Sequence, residues 1–66
     1  MSKIELAKTD RKILEILQND GRLSNQDVAE RVNLWPSPCL RRIKRLEETG
    51  VIRQYVALLD PAQIGL

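Results

Sequence analysis

Four cationic side chains, Arg41, Arg42, Lys44 and Arg45, fall within the six residues 40–45. Cations packed this closely suit one chemistry above others, the recognition of clustered anions such as nucleic-acid phosphates. Arginine can in addition pair bidentately with guanine O6 and N7. The rest of the chain does not share this character. Residues 1–33 carry six basic and six acidic groups, and residues 34–66 carry five basic and three acidic. The net charge of +2 is therefore local. Pro36, Ser37 and Pro38 stand just before the cations, and Ser24 and Asn25 lie one short segment upstream.

Other chemistries are poorly supplied. The chain has no His, the commonest general base and metal ligand. Its single Cys permits neither an internal disulfide nor a cysteine-rich metal site. No pair of Asp, Glu or Lys stands out for acid–base work. No catalytic residue, metal or cofactor is expected, and the chain does not read as an enzyme. A lone Cys39 suits a reducing cytoplasm. No apolar run approaches the 18 residues of a membrane span, so no membrane partner is expected, and the start, Met1 to Glu5, does not resemble a targeting signal. Sixty-six residues suit one small domain or a piece of a larger chain, and twenty Ile, Leu and Val against one Trp, one Tyr and no Phe make its core aliphatic.

The cations need a scaffold, and the punctuation of the chain supplies one. Ile13, Leu14 and Leu17, widened by Ile16, predict a helix from about Lys8 to Asn19. Gly21 suits the left-handed position beyond its end. Ser24-Asn25-Gln26-Asp27 resembles a capping box and opens a short second helix ending near Val32, with Val28, Ala29 and Val32 on its apolar face. Asn33 tolerates a left-handed backbone and makes the turn, and Leu34 plugs the gap. Pro36 and Pro38 fit the first turn of a third helix, about Pro36 to Thr49, with Cys39, Leu40, Ile43 and Leu46 inward and Gly50 as the stop.

Beyond Gly50, Ile52–Leu59 reads as a strand. Ile52, Val56 and Leu58 lie on one face, Arg53 and Tyr55 on the other. Asp60-Pro61 begins a further turn. A single strand has two open edges. It is expected to pair with Lys3–Leu6, with a second copy of the chain, or with a further domain. The fold class is thus mostly α: a three-helix helix-turn-helix, winged-helix-like, followed by one β-strand and a short C-terminal turn.

At about 100° per residue, the outer side of the third helix presents Ser37, Pro38, Arg41 and Arg45, flanked by Arg42 and Lys44. A helix carrying such a ridge fits the major groove of double-stranded DNA, and a short preceding helix with a tight turn is the helix-turn-helix arrangement. The competing reading is a solvated basic face, with Lys44 paired to Glu48 and Arg45 to Glu48 or to neighbours on the Glu47 side, each for a few tenths of a kcal/mol. The helix dipole does not account for the cations, which sit mid-helix. The DNA reading requires them to be free of intramolecular partners.

Four runs then carry a resemblance. Thr9-Asp10-Arg11-Lys12-Ile13-Leu14, Asn19-Asp20-Gly21-Arg22-Leu23-Ser24-Asn25, Pro36-Ser37-Pro38-Cys39-Leu40-Arg41-Arg42-Ile43 and Leu46-Glu47-Glu48-Thr49-Gly50-Val51-Ile52 resemble the DNA-binding domain of the Lrp/AsnC transcriptional regulators. The resemblance spans about Leu6 to Leu66. It implies a domain over 6–66 with its helix-turn-helix at about 25–49 and a connector strand at about 52–59. A C-terminal domain that dimerises and binds an amino-acid effector would follow in the family, and none is expected within this chain.

On this reading Ser37, Pro38 and Arg41 are nearest the base edges, with Arg45 further along. Pro36 contributes an exposed ring, and Arg42, Lys44 and the backbone near Ser24 and Asn25 hold phosphates. A homodimer through Ile52–Leu59 is expected to be weak. Two positions depart from the family pattern. Ala7 stands where a capping Asp is usual, which costs about 1 kcal/mol or moves the cap to Thr9. Trp35 stands where Ser or Thr caps the recognition helix. It either folds back beside Leu34 or projects towards the DNA, and Ser37 is an alternative cap. A second functional reading remains open, a protein-interaction module gripping a partner through Trp35 and the strand without DNA.

Overall fold

A computed structural model describes residues 5–65. Three helices follow one another: α1 Lys8–Asn19, α2 Asn25–Arg31 and α3 Pro36–Glu48. They enclose one small core of Ile13, Val28, Ala29, Val32, Cys39, Ile43 and Leu46, with Leu14, Leu17, Leu23, Leu34, Val51 and Ile52 packed around it. Ala29, only 1% exposed, lacks the bulk to hold α2 and α3 apart.

Each helix end has a local cause. Ala7 is the N-cap of α1 and offers no capping oxygen, so neither Thr9 nor Ala7 closes this end. Asp10 does so from inside the helix, accepting the Ala7 N–H at 3.0 Å. Ser24 caps α2 as expected, its Oγ accepting the Asp27 N–H at 3.1 Å. Asn33 takes a left-handed φ of 58°. Its N–H donates to Glu30 O and that of Leu34 to Ala29 O, so the last carbonyls of α2 are satisfied within the turn. Gly50, at φ 82°, ends α3 in the same manner, and Ile52 N–H reaches back to Leu46 O at 2.9 Å.

Three expectations are corrected here. Gly21 is not left-handed, since the positive-φ residues among those described are Asn33, Gly50 and Gly65. The chain turns after α1 through Asp20, which is extended and whose Oδ1 accepts the Arg22 N–H at 3.0 Å. Leu40 is not a core residue but is 40% exposed, leaving Cys39, Ile43 and Leu46 as the buried stripe of α3.

The third correction concerns Ile52–Leu59, which forms no strand, and no strand occurs among the described residues. Ladder hydrogen bonds need a second strand, and none lies alongside among the described residues. Of the partners expected, Lys3 and Ile4 lie outside the described residues, while Glu5 and Leu6 are not in a strand. Residues 54–58 instead line one cleft with the end of α1 and the turn after it, from Leu17 to Arg22. Ile52 lies against the core, and Tyr55 packs over Gly21 and donates its hydroxyl to Glu47 at 2.8 Å. Val56, Leu58 and Leu59 are exposed. Asp60 then opens the expected turn, its Oδ1 accepting the Ala62 N–H.

Candidate nucleic-acid interface

The outer side of α3 is set by its inner side. Cys39, Ile43 and Leu46 are spaced for one helical stripe and are 0–8% exposed. Burying them turns Ser37, Arg41, Lys44 and Arg45 outward, and all four are exposed. Pro36 is exposed at the first helical position and Pro38 is half-buried behind it.

The cations differ in how far they are free. Arg42 Nη1 donates to Asp10 Oδ1 at 3.1 Å, and Arg45 Nη1 lies 3.9 Å from Asp10 Oδ2. The Asp10 side chain is 4% exposed, whereas those of Arg42 and Arg45 are 39% and 53% exposed. One buried carboxylate therefore faces two guanidinium groups that remain partly in water. Arg41 and Lys44 form no ion pair among the described residues, and the Glu48 pairs of the solvated-face reading are likewise not among the contacts described. Intramolecular pairing thus holds Arg42 firmly, Arg45 at longer range, and leaves Arg41 and Lys44 open. The four do not form one uniform ridge, and the requirement that all be free of intramolecular partners is met by Arg41 and Lys44, not by Arg42, and only in part by Arg45.

Pro38, Arg41, Arg42 and Arg45 line one cleft with Asp10 and the chain before α1. Ser24 and Asn25 stand at the other edge of α3's beginning. The Asn25 Nδ2 donates to Pro36 O at 2.8 Å, and the Cys39 thiol points at Asn25 O at 3.9 Å. These contacts tie the start of α2 to the start of α3. They also occupy the side chains of both residues, the Ser24 hydroxyl facing Asp27 N–H and the Asn25 amide facing Pro36, while the expected phosphate contacts are to the backbone there. Burial pushes the Cys39 thiol pKa up, which keeps it neutral in the core.

Trp35 does not fold back beside Leu34. It is the N-cap of α3 and is 81% exposed. Ser37 does not take over the cap, because α3 begins at Pro36 without a side-chain cap. Sequence reasoning missed Asp10 as the partner of the arginines. An acid three residues beyond an uncapped start was visible, but Arg42 is 32 residues away and only the packing of α1 against α3 joins them.

A family model described as winged helix-turn-helix DNA-binding matches residues 6–53. The chain is 52% identical over 63 residues to the leucine-responsive regulatory protein of Rhizobium meliloti, covering 96% of this chain and 40% of that protein. It is 56% identical over 61 residues to the DNA-binding transcriptional activator DecR of Escherichia coli K12, covering 92% and 40%. Among solved structures, a transcriptional regulator of Neisseria meningitidis in complex with L-methionine superposes with a TM-score of 0.91 at 58% identity, over 94% of this chain and 40% of that one. An AsnC family transcriptional regulator of Agrobacterium tumefaciens gives 0.86 at 52%, over 89% and 39%. The chain spans about 40% of the length of the curated relatives it matches. The match to the winged helix-turn-helix model across most of the chain, with these relatives, shows that it belongs to the Lrp/AsnC family of transcriptional regulators.

Proposed function

We propose that this chain is the part of a transcriptional regulator that binds double-stranded DNA sequence-specifically, with α3 in the major groove. The observation that carries the reading is the exposed side of α3, where Arg41 and Lys44 stand open on a helix fixed from behind by Asp10 and Arg42. Ser37, Pro38 and Arg41 face base edges, with Arg45 further along and the Pro36 ring against the backbone. Lys44 meets phosphate. Arg42 chiefly positions α3, and its remaining N–H groups reach a phosphate from the rim. The backbone near Ser24 and Asn25 holds phosphate at this edge, with Ser24 capping α2 and Asn25 tying α2 to α3.

Two copies reading half-sites one helical turn apart, about 34–36 Å, is the arrangement that suits such a helix. We assign the contact between copies to 52–59, where Val56, Leu58 and Leu59 are 65%, 94% and 68% exposed. An amino-acid effector, like the L-methionine in the Neisseria structure, is assigned to the portion of the relatives that this chain does not span. A cytoplasmic location is the one that suits this reading. The reading of a protein-interaction module without DNA has less support, since it leaves the open cations of α3 unused.

The test is a mobility-shift titration of the chain on duplex selected from a random-sequence pool, repeated across salt concentrations. Affinity falls steeply as salt rises. Arg41→Ala weakens binding and removes about one phosphate-equivalent or base contact, worth about 1–3 kcal/mol. Binding unaffected by salt and by this substitution would contradict the proposal.

A further inference from the structure

Trp35 is the chain's only tryptophan, stands at the N-terminus of α3, and is 81% exposed. A Ser or Thr at an N-cap normally repays its place by accepting an N–H of the second or third helical residue. Here the first and third are Pro36 and Pro38, which have no N–H. The Ser37 amide is the one donor left in that turn for a cap to satisfy. Loss of the capping oxygen therefore leaves little unsatisfied, and the position is released to carry a different side chain. The backbone that carries that side chain is held firmly. The Leu34 N–H is bonded to Ala29 O at 2.9 Å, the Cys39 N–H to Trp35 O at 3.2 Å, and the Asn25 amide to Pro36 O at 2.8 Å. A large apolar ring is thus presented to water on a backbone fixed before and after it.

We propose that Trp35 is a DNA-contacting residue, its indole packing on the sugar–phosphate rim of the major groove with Nε1–H directed at a phosphate oxygen. The inference rests on the DNA-binding reading of α3. What favours duplex DNA over a protein partner is continuity. The indole is adjacent in sequence to Pro36 and Ser37, exposed on the same helix start, and the open Arg41 follows further along. Indole is flat, apolar on its faces and carries one N–H donor, a match for deoxyribose beside phosphate. Such a contact neutralises no phosphate. It adds affinity without adding salt dependence, which separates it from an arginine contact.

The chain's lone indole is its own probe. Duplex selected from a random-sequence pool is titrated in while Trp emission and its quenching by iodide and by acrylamide are followed. The emission changes and both quenchers lose access as the complex forms. Trp35→Ser weakens binding by about tenfold, the effect of losing one large apolar contact, with the slope of affinity against salt unchanged. Trp35→Phe keeps most of the affinity. Arg41→Ala, by contrast, lowers the slope. If a mobility shift forms while the indole stays fully accessible and Trp35→Ser binds as the unaltered chain does, the inference is overturned and DNA binding stands. If the indole becomes shielded on concentrating the chain without DNA, a second copy is its partner and the inference also fails. If the unaltered chain binds no duplex, the reading of α3 falls and takes this contact with it.

Discussion

Arg42 and Asp10, 32 residues apart in sequence, meet through Nη1 and Oδ1 at 3.1 Å. The other oxygen of the same carboxylate accepts the Ala7 N–H and lies 3.9 Å from Arg45. A single buried acid thus closes the start of α1 and fixes α3 against it. Asp10→Ala removes a helix cap and a charge-assisted hydrogen bond together. The arginines can turn to water, which moderates the loss, and destabilisation of about 2 kcal/mol is expected. Thermal unfolding should show this as a fall of roughly 10 °C in a domain this small. Asp10→Asn, which can still accept from Ala7, should fall in between. A melting temperature unchanged in both variants would show that this carboxylate does not hold the helices together.

Tyr55 gives the tail a titratable anchor. Burial, then its hydrogen bond to Glu47 and the charge of that carboxylate, push its pKa up from 10.0 to about 12. The phenol is neutral when protonated, so the folded state holds its proton more tightly than the unfolded one. The resulting stabilisation is present in full below pH 10 and is lost as pH rises towards about 12. Tyr55 is the chain's only tyrosine, so tyrosinate absorbance reports it alone. A midpoint near the ordinary value in the folded chain, or no lowering by Glu47→Gln, would contradict the contact.

Helix starts α2 and α3 should respond oppositely to exchange of their caps. Ser24 Oγ accepts a real N–H, and Ser24→Ala is expected to cost about 1 kcal/mol. Trp35→Ser should leave stability within about 0.5 kcal/mol, because Pro38 has no N–H and only the Ser37 amide is left for a cap to satisfy. Urea unfolding of the two variants checks both statements. A gain of a full kcal/mol from Trp35→Ser would mean that the first turn of α3 is strained for want of a cap.

Glycine positions separate in the same way. Gly50 has φ 82°, where an added Cβ is strained although no atom lies within 4 Å of it, and Gly50→Ala should cost about 1–2 kcal/mol. At Gly21 the Cβ would meet Tyr55 Cδ1 at 3.4 Å without a left-handed backbone. Gly21→Ala should therefore stay within about 0.5 kcal/mol by thermal or urea unfolding, with the Tyr55 ring shifting slightly. Equal losses at both positions would contradict the assignment of the left-handed turn to Gly50.

Much of this architecture is legible in the residues, because its determinants are local. Ser24 before an apolar face, Asn33 after it, prolines at Pro36 and Pro38 and glycine at Gly50 each act within a few residues, and all four helix ends they mark lie within about a residue of their expected places. What local reasoning misplaces depends on distant chain. Ile52–Leu59 has strand-like alternation, but a strand exists only with a partner, and Tyr55 instead turns onto Gly21 and Glu47. The pairing of Arg42 with Asp10 arises from how α1 crosses α3, which no spacing within either helix encodes. The cationic side of α3 was therefore visible as a set of residues, while the division between Arg41 and Lys44, left open, and Arg42, held inward, was not.

The central claim is that the outer side of α3 meets the duplex. Amide chemical shifts of the isotope-labelled chain, followed as selected duplex is added, test it most directly. The account predicts that the signals of Trp35, Ser37, Arg41, Lys44 and Arg45 move or broaden first, while those of the outer side of α1, at Arg11, Lys12 and Glu15, stay in place. Silence along α3, with the changes gathered on α1 or on residues 53–59, would contradict it.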